Sequence, residues 1–339
     1  MAERAAEIAG FLKAAGWGGA DREPLAGDAS ARRYQRLRNG RGVHAVLMDA
    51  PGGAAAEIDA FLRIARHLRA AGFSAPEILA ADRLSGLVLM EDLGDALFAR
   101  LCSRAPAQEA QLYEAATDLL VALRAVPAPE GLPAYDRETY LRESRLLTEW
   151  YLPAAAGTPT PPDLAAEFDA LVAAATDGLE RAHDGLVLRD YHAENLIWLP
   201  QRRGHARVGL LDFQDALCGH AAYDLISLLE DARRDTSPEL RAAMRARHLA
   251  RSGLEPDRFA HDCAVLAAQR NLKIIGIFAR LWLRDGKRGY LGLIPRVWGH
   301  LQDDLSHPTL SGLRALVSRH MPVPEGRVLA RIGSAGTDA

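Results

Sequence analysis

LRDYHAENLIWLP (188–200) and, ten residues further on, LLDFQDA (210–216) are the stretches that decide the fold. Each is an apolar run broken by single polar residues. Asp190 and Asn195 stand five apart in a short loop between apolar segments, and Asp212 follows 17 residues after Asn195, at the end of the strand-like run VGLL. A polar side chain set into an apolar run has to find a specific partner, because burying it without one is costly. The spacing suits phosphoryl transfer. A hydroxyl nucleophile needs a carboxylate to take its proton and hold it in line, a role open to Asp190. Nucleotide phosphates travel with a divalent cation that prefers six oxygen ligands, and Asn195 and Asp212 offer an amide oxygen and a carboxylate toward it. Asp and Asn are also ordinary turn residues, so the D-x-x-x-x-N spacing alone is weak. His192, the bracketing strands and the run Asp212-Phe213-Gln214-Asp215 are what strengthen it.

Working toward the N-terminus, Ala31–Arg38, Val43–Asp49, Glu77–Ala81 and Leu87–Met90 read as short strands separated by Gly-bearing turns. One strong helix, Ala54–Ala71, carries Ile58, Phe61, Leu62, Ala65 and Leu68 on one face, and Ile8, Phe11 and Leu12 mark a shorter one at the start. These elements predict an α+β lobe, an antiparallel sheet with a packed helix, over residues 1–94. Beyond Gly94 the period becomes helical in Leu97–Leu101, Gln108–Val126, Arg137–Tyr151 and Leu164–Arg181, and again from Tyr223 to His300. Residues 95–339 are therefore expected to form a larger, mainly helical lobe. Within it Val187–Arg189, Leu196–Leu199 and Arg207–Leu211 are the short strands around the polar loop.

Composition narrows the function. The chain has 339 residues with 41 basic against 44 acidic side chains, so it lacks the basic excess of a nucleic-acid groove. Three scattered cysteines form neither a disulfide framework nor a zinc ribbon, which points to a reducing, cytoplasmic location. The N-terminus carries charges throughout, and the most membrane-like stretch, Ile274–Leu283, contains Arg280 and falls short of the roughly 20 residues a span needs. The H-x-E at His192 and Glu194 lacks the PCxxC of a zinc deaminase, and neither HExxH nor GxSxG occurs. No nucleic acid, membrane or protein partner is implied; a small molecule is.

The loop and metal segments resemble those of the aminoglycoside phosphotransferase and choline kinase family, relatives of the protein kinases. In that family an H-x-D-x-x-x-x-N loop precedes a D-x-D metal motif. Here Leu188 stands where the family has its His, Asp190, Asn195 and Asp212 match, and the second acid, Asp215, is displaced by one. GDASARRY (27–34), LMDAP (47–51), EDLG (91–94), EWYLP (149–153), LDFQDALCGHAAYDLISLLED (211–231) and QRNLKIIGIFARL (269–281) are similar to one bacterial subgroup, the anomeric amino-sugar kinases of peptidoglycan recycling. The resemblance implies a protein-kinase-like two-lobed fold, ATP and Mg2+ as cofactors, and phosphorylation of the anomeric hydroxyl of N-acetylmuramate and N-acetylglucosamine. Another acceptor, such as an aminoglycoside or choline, or a non-catalytic nucleotide-binding pseudokinase, is the alternative. It further implies Asp190 as catalytic base and Asn195 and Asp212 as metal ligands. The turn ending in Ser30 would close over the phosphates, and the main chain around Glu91 and Leu93 would meet the adenine. For the acceptor it points to Glu149, Trp150, His192 and Asp215, although Trp150 serves equally well as core.

The chain has 38 arginines but only three lysines, Lys13, Lys273 and Lys287. Kinase relatives place a phosphate-holding Lys on the third strand, paired with a helix Glu. Met48 occupies that position, so an arginine must replace it. Alternation puts Arg33 on one face of its strand and Arg32 with Arg36 on the other. Arg33 is expected to share the cleft face with Val46 and Met48 and to be the clamp, Arg32 being the second choice, with Glu57 either its partner or a solvated first-turn acid; Arg36 is expected to matter little.

Overall fold

The computed structural model describes residues 2–25, 32–52, 55–179 and 185–336. Its contacts divide the chain into two compact units, Met1–Leu119 with Ala193–Ala216, and Leu120–His192 with Leu217–Ala339.

The first unit is built on a five-stranded antiparallel sheet. Helix α1 (Ala2–Ala14) leads into β1 (Asp21–Leu25), β2 (Arg33–Arg38) and β3 (His44–Asp49); after α2 (Ala55–Ala70) come β4 (Ile78–Asp82) and β5 (Leu87–Glu91), in the spatial order β1-β2-β3-β5-β4. Alternation gives the sheet an apolar face, and α1 buries Ile8 and Leu12 on it against Leu37, Ala45, Leu47, Leu87 and Leu89. Removing each such aliphatic side chain from water is worth roughly 1.5–3 kcal/mol, which is why a short, weakly amphipathic helix stays docked. Strands give way to helices after β5, but this compact unit runs on past residue 94. It takes in α3 (Phe98–Arg104), enters α4 (Glu109–Arg124), and includes the hairpin of β7 (Leu196–Trp198) and β8 (Val208–Leu210).

The second unit is helical. It comprises α5 (Arg137–Ser144), α6 (Leu152–Ala156), α7 (Pro162–Thr176), α8 (Ala222–Leu229), α9 (Pro238–Ser252), α10 (Pro256–Leu283), α11 (Ile294–Leu305), α12 (Ser311–His320) and α13 (Gly326–Ala335). A two-stranded ribbon of β6 (Gly185–Val187) and β9 (Leu217–Gly219) accompanies them. Three helix starts, those of α5, α9 and α10, carry side-chain caps. Asp136 accepts from Thr139 N–H, Ser237 from Leu240 N–H and Glu255 from Asp257 and Arg258 N–H, with prolines in the first turns of α9 and α10. The helix expected over Arg137–Tyr151 is interrupted: α5 ends at Ser144 and a π-helical turn follows over Leu147–Tyr151. The 28-residue α10 packs here, and its Gly276 approaches so closely that a Cβ there would lie 2.2 Å from the carbonyl carbon of Leu146. No helix among the described residues is long and apolar enough to cross a membrane.

Candidate active site

In the first unit the β7–β8 hairpin joins two of the expected site residues. Leu196 pairs with Leu210, and Leu211 N–H donates to the Asn195 carbonyl at 3.0 Å, so Asn195 and Asp212 flank the hairpin's open end. Gly209 lets this hairpin pack against Leu93, since a Cβ would stand 3.1 Å from the leucine Cδ1. Asp212 has φ 55°, a left-handed conformation that aspartate tolerates better than most residues. Gln214, itself buried, bridges the acids by donating Nε2 to Asp212 Oδ1 at 2.8 Å and to Asp215 Oδ2 at 3.3 Å. Phe213 between them is buried and stacks on Phe61 of α2 at 5.2 Å, which anchors the segment. Asp215 is exposed. Among the described residues no group of three His, Cys, Asp or Glu gathers as a metal cage. Asn195 and Asp212 together are a two-oxygen set of the kind that suits a cation brought in by phosphates.

The sheet corrects the expectation for arginine. In the β2–β3 ladder Tyr34 faces Met48, Arg36 faces Val46 and Arg33 faces Asp49. Directly opposed residues share a face, so Val46 and Met48 lie with Tyr34, Arg36 and, by alternation, Arg32. Arg33 is exposed and belongs to the face that α1 covers. The residue paired with Glu57 is accordingly Arg32, Nη2 to Oε2 3.8 Å. Glu57 is mostly exposed, so the contact steers the guanidinium more than it stabilises the fold. Arg36 is not idle either. It forks onto Asp92 (Nε to Oδ2 2.6 Å) and Asp95 (Nη1 to Oδ2 2.7 Å), tying β2 to the segment after β5. Glu91 spends its carboxylate on Arg69 (3.2 Å) and Arg202, and Leu93 packs its side chain with Ile197 and Leu199. Neither side chain is left for a ligand, and the Glu91 N–H donates to the Glu77 carbonyl at 2.8 Å. Ser30 lies outside the described residues.

In the second unit the loop carrying Asp190 is shaped by its neighbour. Arg189 has φ 70° and is, with Asp212, one of two non-glycine residues at positive φ among the described residues. Such conformations persist only where the surroundings impose them. Here the buried Asp224 of α8 accepts the N–H groups of Leu188 at 2.6 Å and Arg189 at 2.8 Å, while Ser227 Oγ donates to the Arg189 carbonyl at 3.1 Å. Asp190 N–H turns back to the Leu188 carbonyl at 2.9 Å, and the half-buried Asp190 is one of the charges felt by Arg189 and Asp224. His192 is buried, with Nε2 3.3 Å from Arg233 Nη1; burial first, then Arg233 and Arg270, hold its pKa well below the usual imidazole value, so it is neutral. Glu149 is exposed and Trp150 half-buried in the π-helical turn, whereas Tyr151 is core, its OH donating to the Pro322 carbonyl at 2.5 Å.

Sequence reading missed Asp224, Ser227, Glu143 and Lys273. Asp224, Ser227 and Lys273 had a visible signal, a polar residue inside an apolar helical run, without a visible partner; Glu143, in the polar run RETYLRES, had none. Burial pushes the Asp224 carboxyl up to about 7, against the pull of the two N–H donors. Its native pKa therefore exceeds the unfolded one, so its bound proton stabilises the fold in acid and that contribution is lost as pH rises through about 7. Asp224→Asn is expected to abolish this slope: between about pH 5 and pH 8 the melting temperature of the wild type should fall relative to the variant. Calorimetry that found a pH-independent difference would contradict the assignment.

The phosphotransferase enzyme family model matches residues 21–260. The chain belongs to this family. It is 41% identical to the N-acetylmuramate/N-acetylglucosamine kinase of Caulobacter vibrioides, over 96% of this chain and 99% of that one. To the Pseudomonas aeruginosa protein of the same name it is 35% identical, over 92% of each. Among solved structures, ADP-bound aminoglycoside phosphotransferase APH(2'')-Ib superposes with TM-score 0.58 at 14% identity, covering 89% of this chain and 97% of that one. Plasmodium vivax ethanolamine kinase gives the same TM-score at 12% identity, covering 86% and 83%. The fold is thus kinase-like, and the chain is an enzyme that transfers a phosphoryl group.

Proposed function

We propose that this phosphotransferase is an ATP-dependent kinase of N-acetyl amino sugars that phosphorylates the anomeric hydroxyl of N-acetylmuramate and N-acetylglucosamine. The observation that carries the reading is the 41% identity to a kinase of that name over nearly the full length of both chains. Asp190 takes the proton of the acceptor hydroxyl as its oxygen bonds to the γ-phosphorus, the bond to the β-phosphate oxygen breaks, and ADP leaves. Asn195 and Asp212 are the residues that would hold magnesium, which supplies neutralising charge on the phosphates when bound. Arg32 takes the part of the missing lysine, gripping phosphate oxygens with a planar guanidinium, and the main chain from Met90 to Leu93 receives the adenine.

Arg32→Ala is expected to raise the KM for ATP roughly ten- to a hundredfold, the worth of a charge-assisted hydrogen bond, while Arg33→Ala leaves it unchanged. Steady-state kinetics with the acceptor saturating check this; the reverse order would return the clamp to Arg33. The reading as a whole is tested by a coupled assay with ATP, magnesium and a panel of amino sugars, aminoglycosides and choline. Turnover confined to the N-acetyl amino sugars supports it, and turnover of an aminoglycoside or choline instead overturns it.

A further inference from the structure

Glu143, near the end of α5, is 8% exposed, and donors from three other segments of the second unit converge on its carboxylate. Arg189 gives Nη2 to Oε1. Lys273 of α10 places Nζ 3.1 Å from Oε2, and the Tyr135 hydroxyl donates to the same oxygen. Lys273 also donates to the Tyr223 hydroxyl at 3.1 Å, and the rings of Tyr135 and Tyr223 lie 5.0 Å apart. Burial alone would push the Glu143 carboxyl up, but Lys273 and Arg189 outweigh it and hold the pKa below the ordinary glutamate value. The buried Lys273 and the half-buried Arg189 thus share one buried carboxylate. Apolar residues of similar volume would serve stability as well or better, so such a cluster points to a role other than stability.

What the cluster holds is Arg189. That residue's N–H is fixed by Asp224 and its carbonyl by Ser227, which in turn accepts from Arg270 Nη2 at 3.1 Å. The side chain is the remaining freedom, and Glu143 removes it. Release of the guanidinium would leave those two backbone bonds alone to hold the left-handed conformation, and the next residue along the chain is Asp190.

We propose that Glu143 is a positioning residue: through Arg189 it fixes the direction in which Asp190 is presented, and Lys273 holds Glu143 in place. This rests on the reading of Asp190 as the base. The test uses the full-length protein and two readouts, hydrogen exchange of the amides from Leu188 to His192 with no substrate present, and steady-state kinetics. Glu143→Gln leaves Arg189 and Lys273 facing each other without a carboxylate. It is expected to speed exchange in this peptide by about tenfold and to lower kcat by about 10²-fold, the cost of a slight misplacement of a reacting group, with the KM for ATP unchanged. Adding Lys273→Met removes the second cation, and the side-chain amide oxygen introduced at position 143 can then accept from Arg189, so most of the lost kcat should return. Should Glu143→Gln fail to fold, Arg189→Met cuts the same link while Glu143 stays paired with Lys273, and it must show the same faster exchange and lower kcat. A folded variant with wild-type exchange in this peptide, or one that loses only thermal stability, overturns the proposal. Exchange is read without acceptor, so the amino-sugar assay of the wild type decides the function separately.

Discussion

Asp190→Asn is expected to lower turnover by about 10²–10⁴-fold, the usual size of a lost general base, and to leave nucleotide binding intact. The asparagine is nearly isosteric and keeps the backbone bonds of the loop, from Asp190 N–H to Leu188 and from His192 N–H to the carbonyl of residue 190 at 3.2 Å. What it loses is the capacity to take a proton. The contacts that shape the loop come from Asp224, Ser227 and Glu143 through Leu188 and Arg189, so they survive the change. Single-turnover kinetics with saturating sugar and calorimetric titration with ADP separate the two effects. Near-normal turnover by the variant would remove the base role from Asp190.

Asp212→Ala is expected to act on a different quantity. It should abolish the gain in nucleotide affinity that magnesium brings, by at least the roughly 10–100-fold that loss of a supporting contact alone costs a metal site. Two consequences follow from the geometry. Gln214 loses its 2.8 Å acceptor and keeps only Asp215, and alanine at φ 55° is strained where aspartate is tolerated. Asp212→Asn separates these from the charge, since it keeps an oxygen for Gln214 and the conformational tolerance. Titration of ADP with and without magnesium is the measurement. A magnesium effect that survives in both variants would show that the cation is held without Asp212.

Much of this architecture was legible in the chain itself. The β3 and β5 strands are short apolar runs bounded by turn residues, α2 shows a clean apolar stripe, and the polar interruptions at Asp190, Asn195 and Asp212 mark the loop because apolar strands bracket them. β1 was not legible: DREPL is exposed along most of its length and contains Pro24, so nothing alternates, and it lies at the sheet edge where proline is tolerated. The face of Arg33 was misread for a related reason. Alternation says which residues of a strand travel together, while the choice of face depends on register, and a one-residue slip exchanges the two faces. The pairing of Tyr34 with Met48 and Arg36 with Val46 puts Arg32, and not Arg33, on the face of Val46 and Met48. Arg36 could not be placed because its partners, Asp92 and Asp95, lie more than fifty residues away. The same distance hid the Glu143–Arg189–Lys273 cluster, whose members come from a helix end, a loop and the middle of α10. A lysine inside the apolar run of α10 shows that a partner exists and not which one it is.

Transfer of phosphate to the anomeric oxygen of an N-acetyl amino sugar is read from the product itself. Phosphorus NMR of the product formed from ATP, magnesium and N-acetylglucosamine, run beside the 1-O-methyl glycoside of the same sugar, locates the new phosphate ester. A sugar 1-phosphate from the free sugar and no product from the methyl glycoside is the predicted result; equal phosphorylation of both sugars would contradict it.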